Sequence, residues 1–375
     1  MAETRLTRQD AVDLCRGAAI LGTGGGGSPE PGIRYLHALL DAGHRIRLID
    51  ASDLPDSALV LCPGSIGSIA PDAGLKKAQT RAYEAVAATP ENPSFKSLRL
   101  LEAHLGRRAD AVVACEIGGY NTAVAAVVAA LAGIPFVDGD VVGRAVPEAT
   151  LSTYTLFQVS AAPFALVDVW GNAVIGVSVV DDQKAEEIAR FMSVLGGYSE
   201  MTSSATDGRT LRQLLVAGTV SRAMDIGRAL RRAEEAGACP VEPVIQAAQG
   251  REFFRGRVVR YSWRDEGGFL WGETHVEGTG RWAGRRLRIW LKNENLVSWV
   301  DARPAVVCPD LICVIDARTG QGVMNTYLAE GRDVAVFGVP AAPVWRTPQG
   351  LSLFSPRHFG LDLDFVPLEE ALAGL

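Results

Sequence analysis

Apolar positions recur at helical spacing from residue 6 to residue 21, through Ala11, Val12, Leu14, Cys15, Ala18, Ala19 and Ile20, so the chain opens on a helix with Thr7 as its N-cap. A second amphipathic helix runs on to Gly43, its C-terminal cap, with Ile33, Leu36, Leu39 and Leu40 apolar. From there apolar runs of strand length alternate with helical segments. His44–Ile49, Ala58–Cys62, Ala109–Cys115 and Pro135–Val137 read as strands; residues 94–105 and the alanine-rich Thr122–Ala132, stopped by Gly133, read as helices. The alternation predicts a layered α/β domain with a largely parallel sheet, in which ligands bind where strands end and loops begin.

Phe164–Val180 is patterned as a hairpin turning at Gly171-Asn172, and helices are predicted over Gln183–Leu195 and Thr210–Glu235. After Gly250 the pattern changes to short strands: Val258–Trp263, Phe269–Val276, Arg286–Leu291 and Val306–Ile315. The expected organisation is an N-terminal α/β domain over 1–165 and a mixed, β-rich C-terminal domain over 166–375, with a soft boundary between about 160 and 250.

With 375 residues and a net charge of -6, the chain can bury a large core and lacks the basic footprint of a nucleic-acid binder. Alternating arginines in Arg281–Arg288 read as the solvated face of a strand. Met1–Arg5 lacks the apolar core of a signal peptide and no apolar run is long enough to cross a bilayer, so a cytoplasmic protein without membrane contact is expected. The six cysteines have no CxxC spacing, and the five histidines form no HxH, HxxxH or HExxH pair. A zinc site and a disulfide framework are therefore not indicated.

Chemistry concentrates at a few loops. Gly24-Gly25-Gly26-Gly27, between the first two helices, is costly to order unless positive φ angles or close approach are needed, and its N–H groups can form a nest for an anionic or carbonyl oxygen. The alternative is a hinge or tight turn. Cys115-Glu116-Ile117-Gly118-Gly119-Tyr120-Asn121 follows a buried strand: Glu116 can accept or relay a proton, and Asn121 can orient a substrate or cap a helix. Cys115 is a candidate nucleophile or an inert buried thiol. In the next acidic loop Asp138 and Asp140 share one side of an extended backbone, where they can split their pKa values or hold a cation. Arg144 offers a fork for a substrate carboxylate, or a salt bridge to the two aspartates, and Glu148 suits the first turn of a helix. Lys292-Asn293-Glu294-Asn295 is more polar than a turn requires, pointing to contact with a ligand or with the first domain. His358 reads as a solvent-edge residue sooner than a base.

These stretches (GTGGGGSP at 22–29, EIGGYN at 116–121, DGDVVGRAVPE at 138–148, NENL at 293–296, PDLICVID at 309–316 and SPRHFG at 355–360) resemble, in order and over nearly the whole chain, the DUF917 or S-methyl thiohydantoin desulfurase family. That resemblance implies a hydrolase of a small cyclic amide or thioamide, releasing methanethiol from an S-methylated thiohydantoin to leave hydantoin. Combining it with residue chemistry, Asp138, Asp140 or Glu116 would activate water, or Cys115 would attack directly. Gly24, Gly25, Gly26, Gly27, Asn121, Arg144, Glu148, Asn293 and Glu294 would bind substrate. The chain departs from the family pattern at Val141-Val142, Val146 and His358, which places pocket shape and substrate identity in question.

Another class of function stays open: a non-catalytic ligand-binding or accessory subunit in hydantoin catabolism. A nucleotide-dependent enzyme is less well supported, because GxxxxGK[ST] is absent and GTGGGG precedes rather than follows a clear strand. No cofactor is required by the sequence, although Asp138, Asp140, Glu116 and Glu148 could hold a divalent metal without any histidine. The partner expected is a hydantoin-like small molecule, with a homo-oligomer also open.

Overall fold

The computed structural model describes residues 4–70 and 75–375. Its first sheet contains β1 (Thr4–Arg5), β2 (Arg47–Ile49), β3 (Leu59–Ile66), β4 (Ala111–Ala114), β5 (Phe136–Asp140), β6 (Phe164–Asp168), β7 (Ala173–Gly176), β8 (Ser199–Asp207) and β9 (Val216–Ala217). The order is β1-β2-β5-β4-β3-β8-β6-β7, with β9 beside β5. Only β2, β5, β4 and β3 run parallel. The remaining pairings are antiparallel, because β6 and β7 form the expected hairpin and β8 returns beside β3. The sheet is thus mixed where a largely parallel one was expected.

Helices α1 (Arg8–Leu21), α2 (Pro29–Asp41), α3 (Leu75–Val86), α4 (Pro93–Leu105) and α5 (Asn121–Ala132) alternate with the early strands. Thr7 caps α1 in a capping box with Asp10. Gly133 ends α5 at φ 70°. α5 is buried from Asn121 to Ala130, which explains an alanine-rich sequence with little amphipathic contrast. Then come α6 (Thr153–Leu156), α7 (Asp182–Gly196), α8 (Gly208–Leu214), α9 (Thr219–Glu235) and α10 (Val241–Ala247). The helix predicted over 210–235 is broken into α8 and α9, since Val216–Ala217 pairs with β5 and Gly218 adopts φ 75°.

The second sheet is antiparallel throughout. It contains β10 (Arg251–Glu266), β11 (Phe269–Gly278), β12 (Arg286–Lys292), β13 (Glu294–Val300), β14 (Arg303–Val307), β15 (Leu311–Asp316) and β16 (Asp333–Val339), in the order β14-β13-β12-β11-β10-β16-β15. The strand expected over 306–315 is two strands, parted at Cys308-Pro309-Asp310. Of the arginine stripe, Arg286 and Arg288 lie on β12 and pair with Glu277 and Glu273 of the neighbouring strand, whereas Arg281 falls in a 3-10 turn (Gly280–Trp282) and Arg285 precedes the strand.

Sheets and helices share one core. Leu311, Cys313, Ile315, Ala335, Phe337 and Val339 of β15 and β16 belong to the same apolar cluster as Leu14, Ala18 and Leu21 of α1 and Val220, Ala223 and Leu230 of α9. The α1–α9 crossing is tight because Gly17 faces the Ala223 backbone and Gly227 faces that of Asp13; a Cβ at either would overlap main chain. The two sheets divide near residue 250, with β6 to β9 in the first, at the far end of the soft boundary the sequence suggested.

Candidate functional site

Where parallel strands β3, β4 and β5 end, their loops enclose a cavity of about 340 Å³. Gly64–Ile66 end β3 and Gly67–Ala70 follow it, Cys115 and Glu116 follow β4, and Val141 and Val142 follow β5; the second sheet adds Asn293 and Glu294. α2 and α5 both start at its wall, with Gly27, Ser28, Tyr120 and Asn121 among the lining residues. The positive ends of two helix dipoles thus face the space.

Glu116 and Glu294 form its acidic centre. Glu116 Oε1 accepts from Asn121 Nδ2 at 2.6 Å and Oε2 from the Val146 N–H at 2.8 Å. Burial nevertheless raises its pKa from 4.5 to about 7, against these hydrogen bonds and with the Asp140 charge adding to the rise. Glu294 Oε1 accepts from the Gly26 N–H at 3.2 Å, while Oε2 is buried with no hydrogen-bond partner among the described residues. Burial, then the charge of Glu116, hold Glu294 well above the ordinary carboxyl range. Two carboxyl groups sharing a buried site do not readily both ionise; Glu116, whose carboxylate accepts two hydrogen bonds, is the first to lose its proton and Glu294 the last.

Asn121 is the positioner: it bonds Glu116, accepts from the Ser65 N–H at 3.0 Å and so ties the β3 loop to the acid. It does not cap α5; the N-cap is Tyr120, and the Thr122 hydroxyl accepts from the Gly118 N–H instead.

The polyglycine segment is a site of close approach more than an anion nest. A Cβ on Gly24 would overlap the Asn325 side chain, on Gly25 the Glu294 carboxylate, on Gly26 Gly118 and Ala145, and on Gly27 Tyr120. Gly24, Gly26 and Gly27 also have positive φ. The Gly25 N–H bonds Gly22 O and the Gly26 N–H bonds Glu294, so these two donors serve the protein. Of the four glycines, Gly26 and Gly27 line the cavity.

Several expected site residues lie elsewhere. Asp138 and Asp140 both face the start of α9, as their shared strand side requires: Asp138 accepts from the N–H and hydroxyl of Ser221, and Thr219 lies beside Asp140. Asp140 Oδ1 also accepts from the Val142 and Gly143 N–H groups at 2.6 Å. Its pKa is raised to about 6 by burial, and its role is to hold the β5 corner behind the cavity wall. Arg144 is no fork for substrate. Its five donor contacts go to Ala145 O, Pro309 O, Asp310 O, the Thr23 hydroxyl and Asn295 O, and it meets neither aspartate in a salt bridge. It is a fully buried clamp between the two halves of the chain.

Glu148 starts no helix; α6 begins at Thr153, after Ser152. It accepts from Lys292 Nζ and bonds His358 Nε2 at 2.9 Å, outside the cavity lining. Burial opposes ionisation there, yet His358 and Lys292 bring its pKa down to about 2. Asn293 lines the cavity, but at φ 55° it also makes the turn between β12 and β13, with Oδ1 accepting from the Leu270 N–H. The four candidate metal carboxylates are dispersed, and among the described residues no three metal-ligating side chains gather. The Cys115 thiol lines the cavity; burial, then Glu116, push its pKa well above 9.0, so it is not primed as a thiolate.

Sequence reasoning missed three groups. Tyr154 lines the cavity with a buried hydroxyl that has no partner among the described residues. Cys62 lines it beside Cys115. Glu200, on β8, is fully buried behind Ser65 and Tyr120, which donate to it at 3.2 and 3.3 Å, and its pKa rises to about 7 by burial. A glutamate inside the strand-like Ser199–Thr202 was the available signal for Glu200. Val141, Val142 and Val146, three of the departures from the family pattern, do line the cavity.

An α/β sheet joined to an antiparallel sheet, with an acid-lined cavity between, defines the class of protein. Family models described as S-Me-THD-like, N-terminal domain and S-Me-THD-like, C-terminal domain match residues 9–178 and 180–368. The chain belongs to this family, that of the S-methyl thiohydantoin desulfurases (DUF917), and the family is consistent with an enzyme. A crystal structure of a protein from Chromobacterium violaceum shares the fold, with a TM-score of 0.76 and 24% identity over 97% of this chain and 100% of that one. No curated protein matches the chain. Among the described residues, which leave out Met1–Glu3 of the segment read for a leader, no helix is long and apolar enough to cross a membrane.

Proposed function

We propose that the chain is a hydrolase of a small S-methylated cyclic thioimidate, releasing methanethiol and leaving a hydantoin. The observation that carries this reading is the buried Glu116–Glu294 pair, read as one carboxylate and one carboxylic acid, at the wall of a cavity lined by apolar and tyrosine side chains together with backbone and small polar groups. Ionised Glu116 takes a proton from water as the water oxygen bonds to the ring carbon bearing the methylthio group and the C=N π pair moves onto the ring nitrogen. That pair re-forms the C=N bond as the C–S bond breaks with its electron pair on sulfur, and Glu294 protonates the sulfur to give methanethiol. The new hydroxyl proton moves to the ring nitrogen, giving C=O and N–H, and the proton on Glu116 returns to Glu294. Family membership supports the reaction class, and the raised thiol pKa of Cys115 favours water over cysteine as nucleophile.

The test is thiol release from a 2-methylthio-hydantoin carrying a propionate side chain, followed with a chromogenic disulfide. Thiol formed in proportion to enzyme is the expected result. Saturable binding without thiol release would replace this reading by a non-catalytic binding role.

A further inference from the structure

Exposed large apolar side chains are concentrated on one part of the surface. Of thirteen among the described residues, eight lie between residues 170 and 195: Trp170, Val174, Val177, Val180, Ile188, Phe191, Val194 and Leu195. Two elements carry them. α7 lays Ala185, Ala189 and Met192 on Phe164, Leu166 and Met201 of the first sheet and turns Glu186 and Arg190 to the cavity. Its remaining face presents Ile188, Phe191, Val194 and Leu195 to solvent. β7 is the terminal strand of the sheet and, among the described residues, pairs only with β6. In register with Leu166, Val174 stands on the α7 side of that sheet.

We infer that this face is a two-fold interface between two copies of the chain, formed by β7 edges and α7 stripes. Three observations select a second copy as the occupant. An edge strand with open backbone groups is its own complement when two copies run antiparallel about a two-fold axis. From Trp170 to Val180 there is no charged residue, and on α7 Lys184 and Glu187 are paired with each other, which gives an apolar centre with a charged margin at Asp181, Lys184 and Glu187. Scaled by side-chain size and fractional exposure, the eight residues present on the order of 800 Å², which matches the ~800 Å² per partner of a stable standard-size interface. Single surface hydrophobes need no partner; a concentration of exposed apolar side chains on this scale marks an interaction surface.

The consequence reaches the cavity. On the reverse of this helix, Arg190 donates to Pro147 O and Glu186 accepts from the Ala149 N–H, so α7 holds the 147–149 loop that adjoins Val146 and, through it, Glu116. A second copy seated on α7 fixes that wall.

The test is the mass of the full chain in solution by sedimentation equilibrium between about 1 and 100 µM. The expected mass is twice the 39.9 kDa of one chain. Phe191→Asp with Leu195→Asp is expected to weaken association at least about 100-fold with an unchanged circular dichroism spectrum. Should that variant fail to fold, Trp170→Asp with Val177→Asp on the hairpin makes the same test. Amides of residues 173–176 are expected to exchange with deuterium more slowly in the wild type than in the monomeric variant. A wild type that stays monomeric at 100 µM, or a dimer indifferent to both pairs of substitutions, overturns the proposal. So does a monomer that pellets with phosphatidylcholine–phosphatidylglycerol vesicles, which would assign the patch to a lipid surface.

Discussion

Glu116 and Glu148 flank the same stretch of chain, yet their environments drive them in opposite directions. Glu116 turns into the cavity, where its partners are an amide and a backbone N–H, and burial lifts its pKa to about 7. Glu148 turns away, to Lys292 and His358, and is held at about 2. Lys292 is itself packed on aromatic rings, 4.0 Å from the Phe269 centroid and 4.8 Å from that of Trp271. Neutral dipoles leave a buried acid able to exchange a proton near neutral pH; full cations remove that ability and give a structural ion pair. Residue type and burial are similar in the two glutamates, so the partners decide the role.

Replacing each acid by its amide separates the two roles most sharply. Glu116→Gln is expected to lower kcat about 10³-fold, the size of a lost general base, while the urea midpoint at pH 7 is held or raised because a buried ionisable group is gone. Loss of stability without loss of turnover would remove Glu116 from the chemistry. Gly25→Ala should follow, with kcat down about 10²-fold, since the added Cβ displaces the Glu294 carboxylate. Single-turnover thiol release checks both.

Glu148→Gln is expected to destabilise the fold by about 3 kcal/mol, because Lys292 is left buried beside a neutral amide. Denaturant titration measures it. Glu148→Gln with Lys292→Met should recover part of the loss, and no recovery would break the contrast drawn here. The smallest effect belongs to Cys115→Ala, which should leave kcat/KM within about threefold if water is the nucleophile.

The same contrast has opposite signatures in pH. Because the folded pKa of Glu116 lies above its ordinary 4.5, the unfolded chain releases that proton first, and the contribution of Glu116 to stability falls as pH rises from 4.5 to about 7. Glu200 and Asp140, raised to about 7 and about 6, slope the same way. Glu148 contributes stability above 4.5 that is lost as pH falls through about 2. Turnover should rise through about pH 7 as Glu116 ionises and decline at higher pH when Glu294 loses its proton. A flat pH–rate profile across this range would undo the acid–base assignment.

Local pattern in the sequence was enough for α1, α2, α5, the β6–β7 hairpin and the strand-rich character after Gly250, because helix caps, apolar period and turn residues act over a few positions. It also marked Glu116, Asn121 and Glu294, which are polar residues at the edges of apolar runs and so are hard to explain by packing. What it left undecided depended on partners far along the chain. Arg144 resembles a substrate fork until Pro309, Asp310 and Asn295 occupy its donors. Asp138 and Asp140 do share a side, but only the return of α9 makes that side a helix anchor. Glu148 takes its low pKa from residues more than a hundred positions away, Lys292 and His358. The glycine run announced unusual backbone, and the tertiary structure made it a place where Glu294 and Gly118 press close. Sequence sets the chemical groups and their local geometry; desolvation and partner charge, which set what an acid does, exist only once distant segments have packed together.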